Sequence, residues 1–204
     1  MRFIVRPRRK RSPMSSLKPA VFLDRDGVVN EVVFRDGQPA SPRTLEEFIL
    51  GEEIEEAVKR LKAAAFYVFV ITNQPDIARK KLEAIVLEQM SETIRQSLPI
   101  DDILVCPHDN SDRCTCRKPL SGMLISLATR WQIDLCRSFM VGDSWKDMAA
   151  GKGAGCQTIL IEREYNTGTE SDFKVASLLA ATDIILNLTN KGDSSYGLHH
   201  RVFS

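Results

Sequence analysis

Short runs of apolar residues alternate with amphipathic stretches along most of this chain. Apolar runs of five or six residues are typical of strands that are covered on both faces of a sheet. The stretches between them carry apolar residues at every third or fourth position, which predicts helices. The alternation therefore predicts an α/β fold: a Rossmann-like, open and mostly parallel sheet with helices on both faces.

This pattern gives six predicted strands and four predicted helices in one domain. The strands are expected at residues 20–24, 67–72, 102–106, 138–143, 157–161 and 182–186. The helices are expected at residues 52–66, 80–98, 121–131 with Ser121 as the cap, and 145–155. With 43% hydrophobic residues, the chain can bury the core of a domain over residues 19–190. No insertion in this range is long enough to form a separate cap domain.

The two ends of the chain differ in charge from the middle. Residues 1–18 hold seven basic and no acidic residues, which predicts a disordered basic extension. Contact with nucleic acid is the alternative function of such an arm. Residues 191–204 are expected to form a polar tail. Since no run of about 18 apolar residues and no signal-peptide pattern occurs, we expect a cytoplasmic protein that does not bind membranes. We also expect a monomer.

Carboxylate side chains follow two of the predicted strands. The stretch DRDG places Asp24 and Asp26 at the end of the first strand, and Asp143 ends the fourth. The carboxyl ends of parallel strands meet at one edge, where ligands bind. An EF-hand is excluded by the spacing, since Gly27 comes too early and a strand precedes it. Several carboxylates at one edge repel each other without a cation, and hard oxygen ligands suit Mg²⁺.

Other polar residues are expected at the same edge. Thr72 and Asn73 follow the second strand and can hydrogen-bond an oxyanion, and Lys118 supplies a positive charge. A carboxylate nucleophile, Mg²⁺, a hydroxyl and a lysine together provide what phosphoryl transfer requires, because negative charge must be stabilised on the transferring oxygens. The edge is therefore predicted to be a phosphate site.

Three cysteines and a histidine cluster in a short segment, at Cys106, His108, Cys114 and Cys116. Three thiolates and an imidazole suit a closed, tetrahedral Zn²⁺ site of structural type. A redox motif would need C-x-x-C, which this segment lacks, and five cysteines with three in one cluster do not form a disulfide framework. A zinc-binding loop is therefore expected after the third strand.

Four motifs in order carry a family resemblance: DRDG, ITN, RKP and VGDSWKD. Together they resemble the haloacid dehalogenase superfamily of phosphatases. The resemblance implies that Asp24 is the nucleophile that forms an aspartyl-phosphate, and that Asp26 is the general acid and then the base. It implies that Thr72 and Lys118 bind the phosphoryl group. It also implies that Mg²⁺ is held by Asp24, the backbone carbonyl of Asp26, and Asp143. Asp147 is expected next to these ligands without binding the ion directly.

The predicted zinc loop points to a particular group of phosphatases within this superfamily. Over about residues 19–190 the chain resembles the D-glycero-D-manno-heptose 1,7-bisphosphate phosphatases, which yield the 1-phosphate; histidinol-phosphate phosphatases share the loop and are the alternative. A small phosphorylated sugar is the implied substrate. The residues expected to contact it are Asn73, Arg117, Arg35 and Ser144. Pro75, Asp76 and Ser144 depart from the family pattern, which leaves the choice of sugar open.

Overall fold

The computed structural model describes residues 17–195. The predicted basic extension therefore lies outside the described residues except at positions 17 and 18, and the predicted polar tail lies outside them from residue 196 onward. The strands are β1 (Ala20–Asp24), β2 (Val33–Arg35), β3 (Gln38–Ala40), β4 (Tyr67–Asn73), β5 (Asp102–Cys106), β6 (Phe139–Gly142), β7 (Gln157–Ile161) and β8 (Phe173–Val175). The helices are α1 (Ile54–Ala63), α2 (Pro75–Ala78), α3 (Ala84–Ser97), α4 (Gly122–Trp131), α5 (Trp145–Ala154) and α6 (Leu178–Ser195).

Six strands form one sheet in the order β5-β4-β1-β6-β7-β8, and every pair in it is parallel. The first strand, β1, lies at the centre between β4 and β6. Its residues Ala20 to Leu23 are fully buried, as the uninterrupted apolar run predicts for a strand covered on both faces. The predicted parallel α/β sheet is confirmed.

Helices cover both faces of this sheet because successive side chains of a strand point to opposite faces. Val21 and Leu23 belong to one hydrophobic core, which also contains buried residues of α1, α3 and α6. Ala20 and Phe22 belong to a second core with residues of α4 and α5. Each helix follows the apolar spacing of its sequence: α1, for example, buries Ile54, Ala57, Val58 and Leu61.

The predicted strand at residues 182–186 is wrong, because these residues lie within α6. Together with the residues before it, this segment buries Leu178, Ala181, Thr182 and Ile185, which is the spacing of one helix face. The sixth strand of the sheet is instead β8, only three residues long. Ser121 stands at the first position before α4, but its hydroxyl donates to the carbonyl of Ala150 at 2.8 Å rather than capping the helix.

The carboxyl edge of the sheet gathers the polar residues. The strand order reverses direction between β1 and β6, and such a switch point opens a crevice at this edge. Asp24 ends β1, Asn73 ends β4, and Asp143 follows β6. The antiparallel hairpin of β2 and β3 follows β1 in the chain. Across residues 17–195, no helix has both the length and the apolar character needed to cross a bilayer.

Candidate active site

A cavity of about 610 Å³ opens at this edge of the sheet. Of the nine residues predicted for catalysis, Mg²⁺ or substrate, the structure brings eight to its wall: Asp24, Asp26, Thr72, Asn73, Arg117, Lys118, Asp143 and Ser144. Arg35 is the exception. Its guanidinium donates to the carbonyl of Ser41 at 2.8 Å and pairs with Glu47 at 2.5 Å, within the hairpin region.

Lys118 lies at the centre of the site and is only 2% exposed. Its ammonium nitrogen lies 2.6 Å from Oδ1 of Asp24 and 2.6 Å from Oδ1 of Asp147, and it donates to the carbonyl of Ile71 at 3.0 Å. Burial works against the charged ammonium, but these carboxylates raise the pKa of Lys118 well above its ordinary value. The lysine is therefore a fixed positive charge beside the predicted nucleophile.

Three carboxylates converge around this lysine. Asp24, Asp143 and Asp147 each place an oxygen within 4.8 Å of the others. Burial raises the pKa of Asp24 well above its ordinary value, with a further contribution from Asp147 that Lys118 only partly offsets. Burial likewise raises the pKa of Asp143 to about 6, against a 2.5 Å hydrogen bond from the hydroxyl of Tyr165.

The single ammonium of Lys118 contacts two carboxylates, and the third, Asp143, lies beside them, which leaves an excess of negative charge. A divalent cation would relieve this repulsion, and hard oxygen donors are the ligands Mg²⁺ prefers. Asp24 and Asp143 fit the role of direct ligands. Asp147 is more heavily engaged, since its Oδ2 accepts both the backbone N–H of Ser144 at 3.1 Å and the Ser144 hydroxyl at 2.5 Å.

Two glycines allow these carboxylates to come so close. A Cβ at Gly27 would lie 2.0 Å from Oδ2 of Asp143, and the positive φ of 86° at Gly27 also disfavours any other residue. A Cβ at Gly142 would lie 2.3 Å from Cβ of Asp147. The glycines in DRDG and VGD are therefore required by the packing of the acidic cluster.

Asp26 is held by four surrounding side chains. Its Oδ1 accepts from Arg25 at 2.8 Å and from Asn30 at 3.1 Å. Its Oδ2 accepts from Ser41 and from Gln74, each at 2.8 Å. Burial alone would raise the pKa of Asp26, but the Arg25 charge and these hydrogen bonds lower it overall.

Sequence reasoning did not identify Arg25, Ser41, Gln74 or Tyr165 as site residues. Arg25 is 1% exposed and Gln74 fully buried, which is rare for such polar side chains without a specific partner. Gln74 also donates to the hydroxyl of Thr72 at 2.8 Å, so it joins two of the predicted catalytic residues. Their positions in the sequence could have indicated two of them, since Arg25 and Gln74 directly follow polar residues at strand ends.

Asn73 and Ser144 are occupied by protein contacts. The Asn73 amide donates to the carbonyl of Lys118 at 2.9 Å and accepts from its backbone N–H at 3.0 Å. This double hydrogen bond fixes the backbone that carries the central lysine. Ser144 holds Asp147, as described above. Substrate contact by Asn73 and Ser144 stays a prediction, and their observed role is to position neighbours.

The predicted zinc ligands come together after β5. The cysteine Sγ atoms lie 3.2–3.6 Å apart, and Nδ1 of His108 lies 3.6 Å from Cys106 and 3.3 Å from Cys116. Tetrahedral Zn²⁺ with Zn–S bonds of about 2.3 Å requires sulfur atoms about 3.8 Å apart, which this cluster approaches. Burial raises the pKa of Cys106 to about 12, and bound Zn²⁺ would displace that proton.

Arg117 is braced by this loop. Its guanidinium donates to the carbonyl of His108 at 3.1 Å and to the side chain of Asn110 at 2.9 Å. Both acceptors are neutral, so these contacts orient the arginine without cancelling its charge. The short zinc loop can thus hold a long basic side chain at the cavity wall, where packing alone could not.

Comparison with known proteins gives consistent matches. The HAD-hydrolase-like family model matches residues 115–186. A D-glycero-beta-D-manno-heptose-1,7-bisphosphate 7-phosphatase of Rhodopseudomonas palustris is 38% identical over 159 residues, covering 72% of this chain and 85% of the relative. The enzyme of that name from Pseudomonas aeruginosa is 37% identical over 147 residues, covering 70% and 80%. The crystal structure of a D,D-heptose 1,7-bisphosphate phosphatase from B. bronchiseptica, complexed with magnesium and phosphate, has a TM-score of 0.73 and 31% identity, covering 83% of this chain and 99% of that one.

Proposed function

The chain belongs to the D-glycero-beta-D-manno-heptose-1,7-bisphosphate 7-phosphatase family of haloacid dehalogenase-like hydrolases, and we propose that it removes the 7-phosphate of this heptose bisphosphate, leaving the 1-phosphate. It is a phosphoric monoester hydrolase. The observation that carries the proposal is the buried Lys118, 2.6 Å from Asp24, in an acidic cluster at the wall of the cavity.

The proposed reaction has two steps. In the first, a carboxylate oxygen of Asp24 attacks phosphorus, and the bond from phosphorus to the sugar oxygen breaks. Asp26 gives a proton to that leaving oxygen. In the second, water attacks the phosphorus of the aspartyl-phosphate, Asp26 takes a proton from the water, and the Asp24 carboxylate is released with inorganic phosphate.

The surrounding residues support these steps. Lys118 and Thr72 line the cavity, and in the proposed reaction they would stabilise charge on the phosphoryl oxygens. Both observed contacts of the Asp24 side chain fall on Oδ1, from Lys118 and from the backbone N–H of Arg25 at 2.7 Å. Among the contacts of the described residues, Oδ2 is therefore the oxygen left for attack.

Bound Mg²⁺ would neutralise negative charge on the phosphate and on the acidic cluster. Asp24 and Asp143, with the backbone carbonyl of Asp26, would hold it. The lowered pKa of Asp26 favours its ionised form, which the base of the second step requires. For the first step this side chain must gain a proton, which the approach of a negatively charged phosphate favours because like charges raise the pKa of a carboxyl group.

The test is a phosphate-release panel with both anomers of heptose 1,7-bisphosphate, histidinol phosphate and fructose 1,6-bisphosphate. We expect the highest kcat/KM with the β-anomer of the heptose compound, and release from carbon 7. A preference for histidinol phosphate would refute the proposed substrate while leaving the phosphatase chemistry intact. Cytoplasmic location and a monomeric state stay predictions.

A further inference from the structure

A line of alternating charges crosses the wall of the cavity. Arg43 follows the hairpin, Asp76 and Arg79 lie in and directly after α2, and Asp109 lies in the zinc loop. We refer to Arg43, Asp76, Arg79 and Asp109 as the mouth network. None of the proposed chemical steps uses these four residues, although the first three line the cavity.

Asp76 is the branch point of the mouth network. Its Oδ2 accepts from Nε of Arg43 at 2.7 Å, and its Oδ1 lies 3.6 Å from Nη1 of Arg79. Its side chain is 13% exposed, so its charge is poorly screened by water. A carboxylate between two arginines in this setting constrains both more strongly than an isolated surface pair would.

Arg79 extends the network to the zinc loop. Its guanidinium donates twice to Asp109, from Nε at 2.8 Å and from Nη2 at 2.7 Å. Such two-point arginine–carboxylate contacts fix orientation as well as distance. Asp109 in turn accepts from the backbone N–H of Asn110 at 2.8 Å, and the Asn110 side chain accepts from Arg117.

At the other end, the network reaches the predicted general acid. Arg43 lies two residues after Ser41, whose hydroxyl donates to Asp26. The backbone N–H of Arg43 is itself held by Glu47 at 2.7 Å. Ser41 and Arg43 are joined only by the chain between them, and side-chain contacts then run from Arg43 through the mouth network to Asn110 and Arg117.

We infer that Asp76 is a positioning residue that holds the Ser41–Arg43 segment and the zinc loop in fixed places across the cavity. Its carboxylate binds Arg43 in the loop of Ser41, and through Arg79 it is connected to Asp109 in the loop of Arg117. The structure shows no large cap domain over the cavity among its described residues, so loop positions define the far end of the pocket. The consequence for a sugar bisphosphate rests on the proposed function; the consequence for loop motion does not.

The test uses Asp76→Asn in the full chain, with Asp183→Asn as the matched control. Asp183 also pairs with an arginine, Arg60, but it lies in α6, outside the residues that line the cavity. Asp76→Asn keeps the side-chain shape and the backbone carbonyl that accepts from Lys81 and Leu82. We expect KM for heptose 1,7-bisphosphate to rise about tenfold, which corresponds to about 1.4 kcal/mol of lost binding. We expect kcat to stay within about twofold, because Asp26 keeps its contacts with Arg25, Asn30 and Gln74.

Acetyl phosphate serves as a second substrate because it is too small to reach both loops. Its kcat/KM should stay within about twofold of wild type in both variants. A general loss of structure would instead lower kcat/KM for both substrates. An equal loss with both substrates, or an unchanged or lowered KM for the bisphosphate, would overturn the inference.

Amide hydrogen exchange gives a readout that needs no turnover. Exchange should accelerate over residues 41–47 and 108–113 in Asp76→Asn but not in Asp183→Asn. Arg79→Gln should accelerate exchange over residues 108–113 alone, because this change removes the contact with Asp109 and leaves that between Arg43 and Asp76. Unchanged exchange in both segments of Asp76→Asn would overturn the inference. A wild-type enzyme inactive on the bisphosphate would refute the proposed substrate, and the exchange comparison would still decide the role of Asp76.

Discussion

Replacing Lys118 with methionine tests whether the buried lysine holds the acidic cluster together. Methionine has a similar length and no charge, so the change leaves Asp24, Asp143 and Asp147 facing each other without the ammonium. The lysine is 2% exposed and lies 2.6 Å from two of the carboxylates. Removing one partner of a buried ion pair costs about 3–5 kcal/mol, because it leaves an uncompensated buried charge.

For a domain of this size, each kcal/mol lowers Tm by about 2–4 °C, so Lys118→Met should lower Tm by about 6–20 °C in magnesium-free buffer near neutral pH. The loss should shrink toward acid pH. Burial and Asp147 hold the folded pKa of Asp24 above its unfolded value, and removing Lys118 raises it further. The folded variant therefore binds protons more tightly than the unfolded chain, and its stability falls as pH rises through this range.

The measurement is thermal unfolding by circular dichroism at about pH 5 and about pH 7.5, where the carboxylates differ in protonation. Lys59→Met is the control, since Lys59 is an exposed residue paired with Glu55 on α1. Such a fully exposed pair is screened by water and contributes little to stability, so the control should change Tm little. A loss for Lys118→Met no larger than that of the control, or one equal at both pH values, would show that Lys118 does not stabilise the acidic cluster in this way.

Three further predictions concern the metals and the turn after β1. Mg²⁺ affinity, measured by isothermal titration calorimetry, should fall as pH drops below about 6, because burial raises the pKa of Asp143 to about 6 and protons then compete with the ion; an affinity independent of pH would contradict this. Cys116→Ser should reduce the zinc content, measured by elemental analysis, below the one ion per chain expected of the four-ligand cluster. It should also lower Tm and raise KM, since Arg117 adjoins that ligand. Unchanged Tm and kinetics would count against a bracing role. Gly27→Ala should weaken Mg²⁺ binding strongly, because its Cβ would lie 2.0 Å from Oδ2 of Asp143; wild-type affinity in a folded variant would contradict the packing argument.

The sequence was sufficient to predict the sheet because its central strands are buried on both faces. A strand such as β1 shows this as an uninterrupted apolar run, and the parallel order then brings Asp24 and Asp143 to one edge. The same reasoning failed at residues 182–186, where five residues were too few to distinguish a strand from part of α6.

Side-chain partners across loops were beyond prediction because they depend on tertiary geometry. The pairing of Arg35 with Glu47 draws that arginine away from the cavity wall, and nothing in its local sequence indicates this. The sequence shows only that Asp76 departs from the family pattern, whereas the structure pairs it with Arg43 and Arg79. The burial of Gln74 between Asp26 and Thr72 likewise appears only in the folded chain.

The proposed role of Asp24 as the nucleophile of a phosphatase is tested most directly by phosphate release from β-heptose 1,7-bisphosphate. Wild type and Asp24→Asn are compared with Mg²⁺ present and folding verified by circular dichroism. The amide has nearly the same shape but cannot form the aspartyl-phosphate, so we predict active wild-type enzyme and a variant with no phosphate release above background. Near-normal turnover by Asp24→Asn would show that Asp24 is not the nucleophile.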